Sequence, residues 1–325
     1  MKLKIVMTDL ATFADAGIEA GIAQEQGYDF VCLNTKDEDA LVAGVADADA
    51  LLVVYATVTE KVIAALRHCK IIVRTGIGYN NIDVDAATRR GIMVANVPDY
   101  CQGEVADHTL ALLLSFARKV TFLNSRIKKQ SWSVVAARPI PRLAETSLGL
   151  YGCGSIAQAV AKRAQSFGIK VRGFDPYLPE ASFAALGIEK AAHSDELFAS
   201  CDFISLHAPL TPETRHIINT DTLNKMKKSA VLINTARGPL INTEDLYAAL
   251  KAGVIAGAAL DVLETEPPVF PLPLAELDNV LLTPHAAYYS DASEPELRRK
   301  SALEAIRALT EGRPKFWLNR KELEK

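Results

Sequence analysis

Three polar side chains late in the chain have types suited to proton transfer beside a small anion: Arg237, Glu266 and His285. Arg237 follows the apolar run that ends at Ile233-Asn234-Thr235 and precedes Gly238. Its planar fork of N–H donors can grip a carboxylate or a carbonyl oxygen at two points. Alone it reads equally well as a surface arginine in a loop. His285 lies between Pro284 and Ala286 at the end of another apolar run, where a lone histidine is more often a satisfied polar residue than a catalyst. Glu266, within Glu264-Thr265-Glu266-Pro267-Pro268, would by itself be a loop acid with a local capping role. Brought together in space, the two make a coherent unit. A carboxylate beside an imidazole favours the imidazolium and fixes its tautomer, which gives a proton donor near neutral pH.

The second constellation is the stretch Gly149-Leu150-Tyr151-Gly152-Cys153-Gly154-Ser155-Ile156-Ala157, with Asp175 downstream. Leu148 to Tyr151 reads as a buried strand, and two close glycines then turn the chain. A helix follows with Ile156, Val160, Ala164 and Phe167 at helical spacing, and Gly168 ends it. Val171 to Phe174 forms the next strand and delivers Asp175 at its tip. Such a unit places a pyrophosphate at a helix N-terminus and a ribose hydroxyl pair on the carboxylate. The glycines alone are weak, because GxGxx patterns also occur in ordinary turns. The strand before, the helix after and the acid about 20 residues on make the pattern a dinucleotide site. Ala157 occupies the third glycine position, which tolerates alanine because it serves helix–strand packing. Asp175 favours NAD over NADP, since a carboxylate repels an added 2′-phosphate.

A third stretch, Arg74-Thr75-Gly76-Ile77-Gly78-Tyr79-Asn80-Asn81-Ile82-Asp83, again follows an apolar run. Closely spaced glycines can leave backbone N–H groups to cradle an anion, although a plain tight turn has the same appearance.

These residues need a scaffold, and the apolar runs supply one. Leu3 to Met7, Phe30 to Leu33, Ala50 to Val54, Ile71 to Val73 and Ile92 to Ala95 alternate with helix-compatible segments such as Glu60 to Leu66 and Val84 to Arg90. Short continuous apolar runs between helices predict a parallel sheet covered on both faces. After the glycine turn, runs recur at Phe203 to Leu206, Ala230 to Ile233, Ala258 to Leu260 and Val280 to Leu282. Polar residues collect where these runs end, which is where ligands bind in open α/β sheets. Pro98, in Asn96-Val97-Pro98-Asp99, punctuates the chain. A long helix is expected from about Gly103 to about Arg126, so apolar that it is either deeply buried or packed against another subunit. A final amphipathic helix runs from Glu294 to about Glu311.

The totals agree with that scaffold. A chain of 325 residues is long enough for two cores, and 49% hydrophobic with 23% charged residues is ordinary for globular proteins. A formal net charge of -3 argues against nucleic acid as the main partner. No apolar run reaches the roughly 20 residues that span a bilayer, so no membrane partner is expected. Five scattered cysteines without metal-type pairing predict a reducing compartment and no metal site. The opening Met1-Lys2-Leu3-Lys4-Ile5-Val6 enters a strand pattern directly instead of a signal-peptide core, so a cytoplasmic protein is expected.

Over nearly its whole length the sequence resembles the D-isomer-specific 2-hydroxyacid dehydrogenase family. Four blocks carry the likeness: Arg74 to Asp83, Leu148 to Tyr177, Leu232 to Gly238, and Leu260 to Pro267 with Thr283 to Tyr288. Within the family, Tyr177 and His285-Ala286-Ala287-Tyr288-Tyr289-Ser290 look closest to the branch of the C-terminal-binding proteins, which includes transcriptional corepressors. The resemblance implies a Rossmann-type dinucleotide-binding domain over 99–290 and a flavodoxin-like doubly wound substrate domain built from 1–98 and 291–325. It implies that Arg237 binds substrate carboxylate and carbonyl, that His285 is the acid/base, and that Glu266 is its partner. Backbone N–H groups of Ile77 and Gly78 would hold the substrate carboxylate, with Tyr55 and Arg74 nearby. Gly152, Cys153, Gly154, Ser155 and Ile156 would hold the pyrophosphate, and Asp175 the adenosine ribose. His207, Ala208, Pro209 and Thr214 would wall the adenine side, while Thr235, Ala236 and Asp261 would approach the nicotinamide.

Departures from the family pattern lie at Cys153 and Ser155, where leucine and arginine are more usual, and at Ala157. Tyr288 stands where the corepressor-like proteins usually carry tryptophan, so their substrate preference does not carry over. The implied activity is NAD-dependent reduction of a small 2-keto acid, of the glyoxylate or hydroxypyruvate kind, in an interdomain cleft whose closure excludes water. A homodimer through the helix near 103–126 is expected. Two other readings accompany this one: an NAD(H)-sensing corepressor-like scaffold, and a short D-3-phosphoglycerate dehydrogenase with no regulatory domain after residue 325.

Overall fold

The computed structural model describes residues 2–324, which divide into two compact units. One unit runs to Cys101 and resumes at Ser290; the other is Gln102–Tyr289.

The first unit is a five-stranded parallel sheet of β1 (Lys4–Met7), β2 (Asp29–Cys32), β3 (Ala50–Val53), β4 (Ile71–Arg74) and β5 (Met93–Ala95). Its order, β2-β1-β3-β4-β5, is the flavodoxin-like doubly wound arrangement. β3 is buried along its whole length because helices cover both faces, which is why it reads as an unbroken apolar run. The helix Ser293–Glu311 returns late in the sequence to pack on β3 and β4 and beside the helix Gly17–Glu25. Arg298 from that helix meets Glu19 in a buried two-point ion pair of 2.9 and 2.7 Å.

The second unit is a seven-stranded parallel sheet of β6 (Ser147–Tyr151), β7 (Lys170–Phe174), β8 (Glu189–Lys190), β9 (Phe203–Leu206), β10 (Val231–Asn234), β11 (Gly257–Leu260) and β12 (Val280–Leu282). Read from β8, the order is β8-β7-β6-β9-β10-β11-β12, a Rossmann arrangement with one strand added at its far edge. The strand order reverses between β6 and β9, and the chain leaving each strand passes its neighbour there: His207 N–H donates to the Tyr151 carbonyl at 2.8 Å. That is the topological switch point, where α/β sheets bind ligands. β8 is two exposed residues at the sheet edge, too short and too charged to register as an apolar run.

Two details differ from the sequence reading. The expected helix over 103–126 is two helices, Gln102–Ala117 and Val120–Lys128, separated at Lys119, whose φ is +55°. The first buries Val105, Leu110, Leu113 and Phe116 within its own unit, packing on the helix Ser155–Ser166 and on β10 and β11. The second buries no side chain, so the apolar stripe ends where the helix breaks. In Ser155–Ser166 the buried face is Ala157, Val160, Ala161 and Ala164. Phe167 has left the stripe because it is the C-cap, and it stands 46% exposed. Small side chains there let the helix lie close to the sheet.

Candidate active site

In the second unit, the turn after β6 is shaped by what it must pass. Gly152 has φ +87°, and a Cβ there would sit 2.7 Å from the Ala208 nitrogen, so only glycine fits between β6 and the end of β9. Beside Gly154 a Cβ would meet nothing within 4 Å, so this face of the turn is open. Gly154 is the N-cap of the helix Ser155–Ser166 and brings no side-chain cap, so the first-turn N–H groups at Ser155 and Ile156 have no intrahelical partner. A turn at Gly152 that bars a side chain, an open face at Gly154 and a helix N-terminus that offers donors fit a pyrophosphate.

Asp175 closes the turn from β7. Its Oδ2 accepts the Cys153 N–H at 2.9 Å and its Oδ1 accepts the Tyr177 N–H at 2.9 Å. The Cys153 N–H is thus committed to Asp175, and the anion-binding share of the turn falls to Gly154, Ser155 and Ile156. The Cys153 thiol is buried beside Gly173, where a Cβ would come within 2.6 Å of Sγ. Burial, aided by the Asp175 charge, pushes that thiol up to about 12, so it is a small apolar filler and not a nucleophile.

The residues after β9 form the opposite wall. His207 Nε2 lies 2.9 Å from Ser205 Oγ, and burial pulls the imidazole down to about 4, so it is neutral at pH 7. Ala208 is nearly buried. Thr214 Oγ1 donates to the Pro209 carbonyl at 2.7 Å, bracing the loop between them. After β10, Thr235 Oγ1 sits 2.9 Å from Thr109 Oγ1. Asn234 holds the following turn at both ends, accepting the Ala236 N–H at 3.0 Å and donating to the Arg237 carbonyl at 2.8 Å.

Arg237 and Glu266 are brought together through backbone. A Cβ at Gly238 would collide with the Leu263 carbonyl, so the loop bearing Arg237 presses directly on the loop that leads to Glu266. Glu266 Oε1 accepts the Leu263 N–H at 2.8 Å, and Oε2 faces His285 Nδ1 at 2.7 Å. Burial pushes the Glu266 carboxyl up, but His285, the Leu263 N–H and the charge of Arg237 outweigh it and hold the group below its ordinary range. His285 itself has φ +52°, a backbone state that L-residues avoid. Its N–H donates to the Asp261 carbonyl at 2.7 Å.

Other contacts around these residues carried no sequence signal. The Asp261 carboxylate, expected near the nicotinamide, is also a backbone clamp: it accepts the Ala286 N–H at 2.9 Å and the Ala287 N–H at 3.0 Å. Glu264 binds His216 Nε2 at 2.5 Å and the Thr243 N–H at 3.1 Å. Among the described residues no group of three or more His, Cys, Asp or Glu side chains could hold a metal ion, and no helix is long and apolar enough to cross a membrane.

The first unit carries its own candidate residues at strand ends. After β4, Gly76 has φ +146°, and a Cβ there would overlap the Arg74 guanidinium, which folds back to donate to the Thr75 carbonyl. Ile77 and Gly78 follow this turn, and the Ile77 carbonyl accepts from Asn96 Nδ2 at 2.6 Å. After β3, the Tyr55 N–H donates to buried Asp9 at 3.0 Å. The Tyr55 ring lies beneath Lys36 Nζ at 5.3 Å and Arg74 at 5.9 Å.

Comparison with known proteins agrees with this geometry. Residues 110–287 match the family described as D-isomer specific 2-hydroxyacid dehydrogenase, NAD binding domain. The chain is 45% identical to the D-3-phosphoglycerate dehydrogenase of Methanocaldococcus jannaschii over 77% of its own length, and spans 47% of that protein. It is 40% identical to the hydroxypyruvate reductase of Thermotoga maritima, over 83% of this chain and 86% of that one. Among solved structures, the D-lactate dehydrogenase of Aquifex aeolicus, complexed with NAD and lactic acid, superposes with a TM-score of 0.86 at 29% identity, covering 98% of this chain and 97% of that one. With a family match over 110–287 and the switch-point glycine turn within it, this chain belongs to the D-isomer-specific 2-hydroxyacid dehydrogenases and carries their NAD-binding domain.

Proposed function

We propose that this chain is an NAD-dependent D-2-hydroxyacid dehydrogenase that reduces a small 2-keto acid of the glyoxylate or hydroxypyruvate kind. The observation that carries the reading is the 2.7 Å His285–Glu266 pair, held on a loop packed against that of Arg237. Gly154, Ser155 and Ile156 would hold the pyrophosphate, Asp175 the ribose, and the His207–Pro209 wall with Thr214 the adenine side. Thr235, Ala236 and Asp261 would flank the nicotinamide, and Cys153 contributes by orienting Asp175. When bound, NADH supplies the hydride that reduces the carbonyl carbon. Arg237 orients the keto acid by its carboxylate and carbonyl, and the backbone N–H groups of Ile77 and Gly78, with Arg74 and Tyr55, complete the carboxylate's binding. His285 Nδ1 faces Glu266, so Nε2 is the atom that gives its proton to the carbonyl oxygen, leaving the hydroxyl. In oxidation the same nitrogen takes the proton back.

The test is NADH oxidation by the purified chain against a panel of glyoxylate, hydroxypyruvate, pyruvate and longer 2-keto acids, with D-3-phosphoglycerate and NAD in the reverse direction. Turnover of a short 2-keto acid is expected. Oxidation of D-3-phosphoglycerate alone would favour the second reading, which the 45% identity to a D-3-phosphoglycerate dehydrogenase supports. Tight NADH binding without turnover would instead favour the scaffold.

A homodimer belongs to the same proposal. The apolar side of Gln102–Ala117 is used within its own unit, so the surface available for a partner lies beyond it, at Val120, Ile127, Trp132, Val134 and Val135, all exposed. Light scattering at micromolar concentration tests this: a mass near 35.2 kDa would remove it.

A further inference from the structure

His285 is held in an unfavourable backbone state, φ +52°, by groups that lie outside the reacting set. The hub is Asp261, whose side chain is fully buried. Its carbonyl takes the His285 N–H, its Oδ1 takes the Ala286 N–H and its Oδ2 takes the Ala287 N–H. Thr283 Oγ1 donates to the same Oδ1 at 2.5 Å, and His108 Nε2 reaches Thr283 Oγ1 at 3.0 Å and lies 3.5 Å from Oδ1. A hydroxyl has one proton, and a carboxylate can only accept, so the Thr283 proton is spent on Asp261. The oxygen of Thr283 is then an acceptor, and the donor must be Nε2–H of His108. The direction of every hydrogen bond in the chain is thereby fixed: His108 to Thr283, Thr283 to Asp261, and Asp261 receiving the backbone on the far side of His285.

We propose that His108 is a positioning residue for the acid/base. It acts through Thr283 and Asp261 to hold the His285 loop in its left-handed turn. The inference rests on the dehydrogenase reading above for its effect on turnover, but not for its effect on the loop. His108 comes from the helix Gln102–Ala117, on the opposite side of this network from the loop it steadies. A rigid helix therefore anchors a residue that backbone preference alone would release.

The test uses the full chain with His108→Leu, which removes the donor, and His108→Gln, which keeps an N–H without an ionisable ring. In His108→Leu, exchange of the Ala286 and Ala287 amides should quicken and kcat should fall by about tenfold to a hundredfold, as displacement of an acid/base group by an ångström does. His108→Gln should recover most of both losses. Thr283→Val is the second route, since it breaks the same chain without touching the helix, and the double variant should be no worse than either single one. In protein labelled with 15N-histidine, His108 should appear as the Nε2–H form. An Nδ1–H tautomer, unchanged amide exchange in His108→Leu, or a Gln variant as impaired as Leu would each overturn the proposal. If the wild type turned over no 2-keto acid, the function above would fail, while the tautomer and exchange measurements would still decide the role of His108.

Discussion

Glu266 holds His285 by one carboxylate oxygen, at 2.7 Å from Nδ1, and its own backbone loop by the other, at 2.8 Å from the Leu263 N–H. The carboxylate is therefore oriented: it cannot rotate toward another donor without giving up the Leu263 bond. His285→Ala should lower turnover by about a hundredfold or more, the usual contribution of a general acid–base group, while NADH binding measured by fluorescence stays within about twofold. Glu266→Gln keeps a hydrogen bond to the ring but loses the charge, and its loss of kcat should be smaller than that of His285→Ala. Equal turnover in wild type and His285→Ala would remove His285 from the chemistry.

Asp175 is a prediction about cofactor choice. Both of its oxygens are engaged by backbone N–H groups, so the carboxylate is fixed at the tip of β7 and cannot swing away from an incoming 2′-phosphate. Asp175→Asn keeps the size and one acceptor but removes the charge. The ratio of kcat/KM for NADH over NADPH should fall by about tenfold or more, since a charge contact removed is worth about 1.4 kcal/mol or above in a partly dry site. An unchanged ratio would place cofactor discrimination elsewhere.

The sheet and the glycine turn were legible because buried parallel strands and tight turns leave local marks. Apolar runs predict eleven of the described strands' positions in outline, all but β8, and Gly152 is dictated by the backbone it passes. Arg237, Glu266 and His285 were legible through residue type and strand-end position, but each alone had an ordinary structural alternative. What could not be read are the contacts made across long sequence separations. Asp261, Thr283 and His108 form one network across 175 positions, and no local pattern announces it. The helix break at Lys119 was hidden for the same kind of reason. Lysine has no turn preference, and only the end of the buried stripe at Phe116 and Ala117 marks it.

The first unit should depend sharply on Arg298. Its guanidinium is 6% exposed and pairs with Glu19, which is 1% exposed, while also donating to the Asp15 carbonyl at 2.6 Å and lying 4.8 Å over the Phe13 ring. Removing one partner leaves the other charge buried and unpaired, which costs about 3–5 kcal/mol. Arg298→Leu should therefore lower the unfolding free energy extrapolated from urea melts by that amount, and Arg298→Leu with Glu19→Leu should recover much of it. A double variant as unstable as the single one would mean that packing around Phe13, and not the charge, sets the cost.

Asp202 gives the second unit a stability that depends on acid. Its Oδ2 takes the Ser147 N–H at 2.9 Å and hydroxyl at 2.8 Å, and its Oδ1 takes Lys227 Nζ at 2.8 Å, tying the starts of β6 and β9 together. Burial raises the Asp202 carboxyl, but Lys227 and the two Ser147 donors outweigh it and lower it below the ordinary carboxylate range. A carboxyl lowered on folding contributes its full stability above its unfolded value, about pH 4, and loses it as pH falls through the folded value. Asp202→Asn should thus cost about 1–2 kcal/mol at pH 7, toward the low end because Lys227 is partly solvated. As pH falls below about 4 the difference between the two proteins should shrink, because the wild-type carboxyl takes up its proton and becomes as neutral as the amide. Urea unfolding of both proteins from pH 7 to pH 3 measures this directly. A gap that stays constant across that range would mean that the Asp202 charge contributes nothing, and that the cost of Asp202→Asn is one of geometry alone.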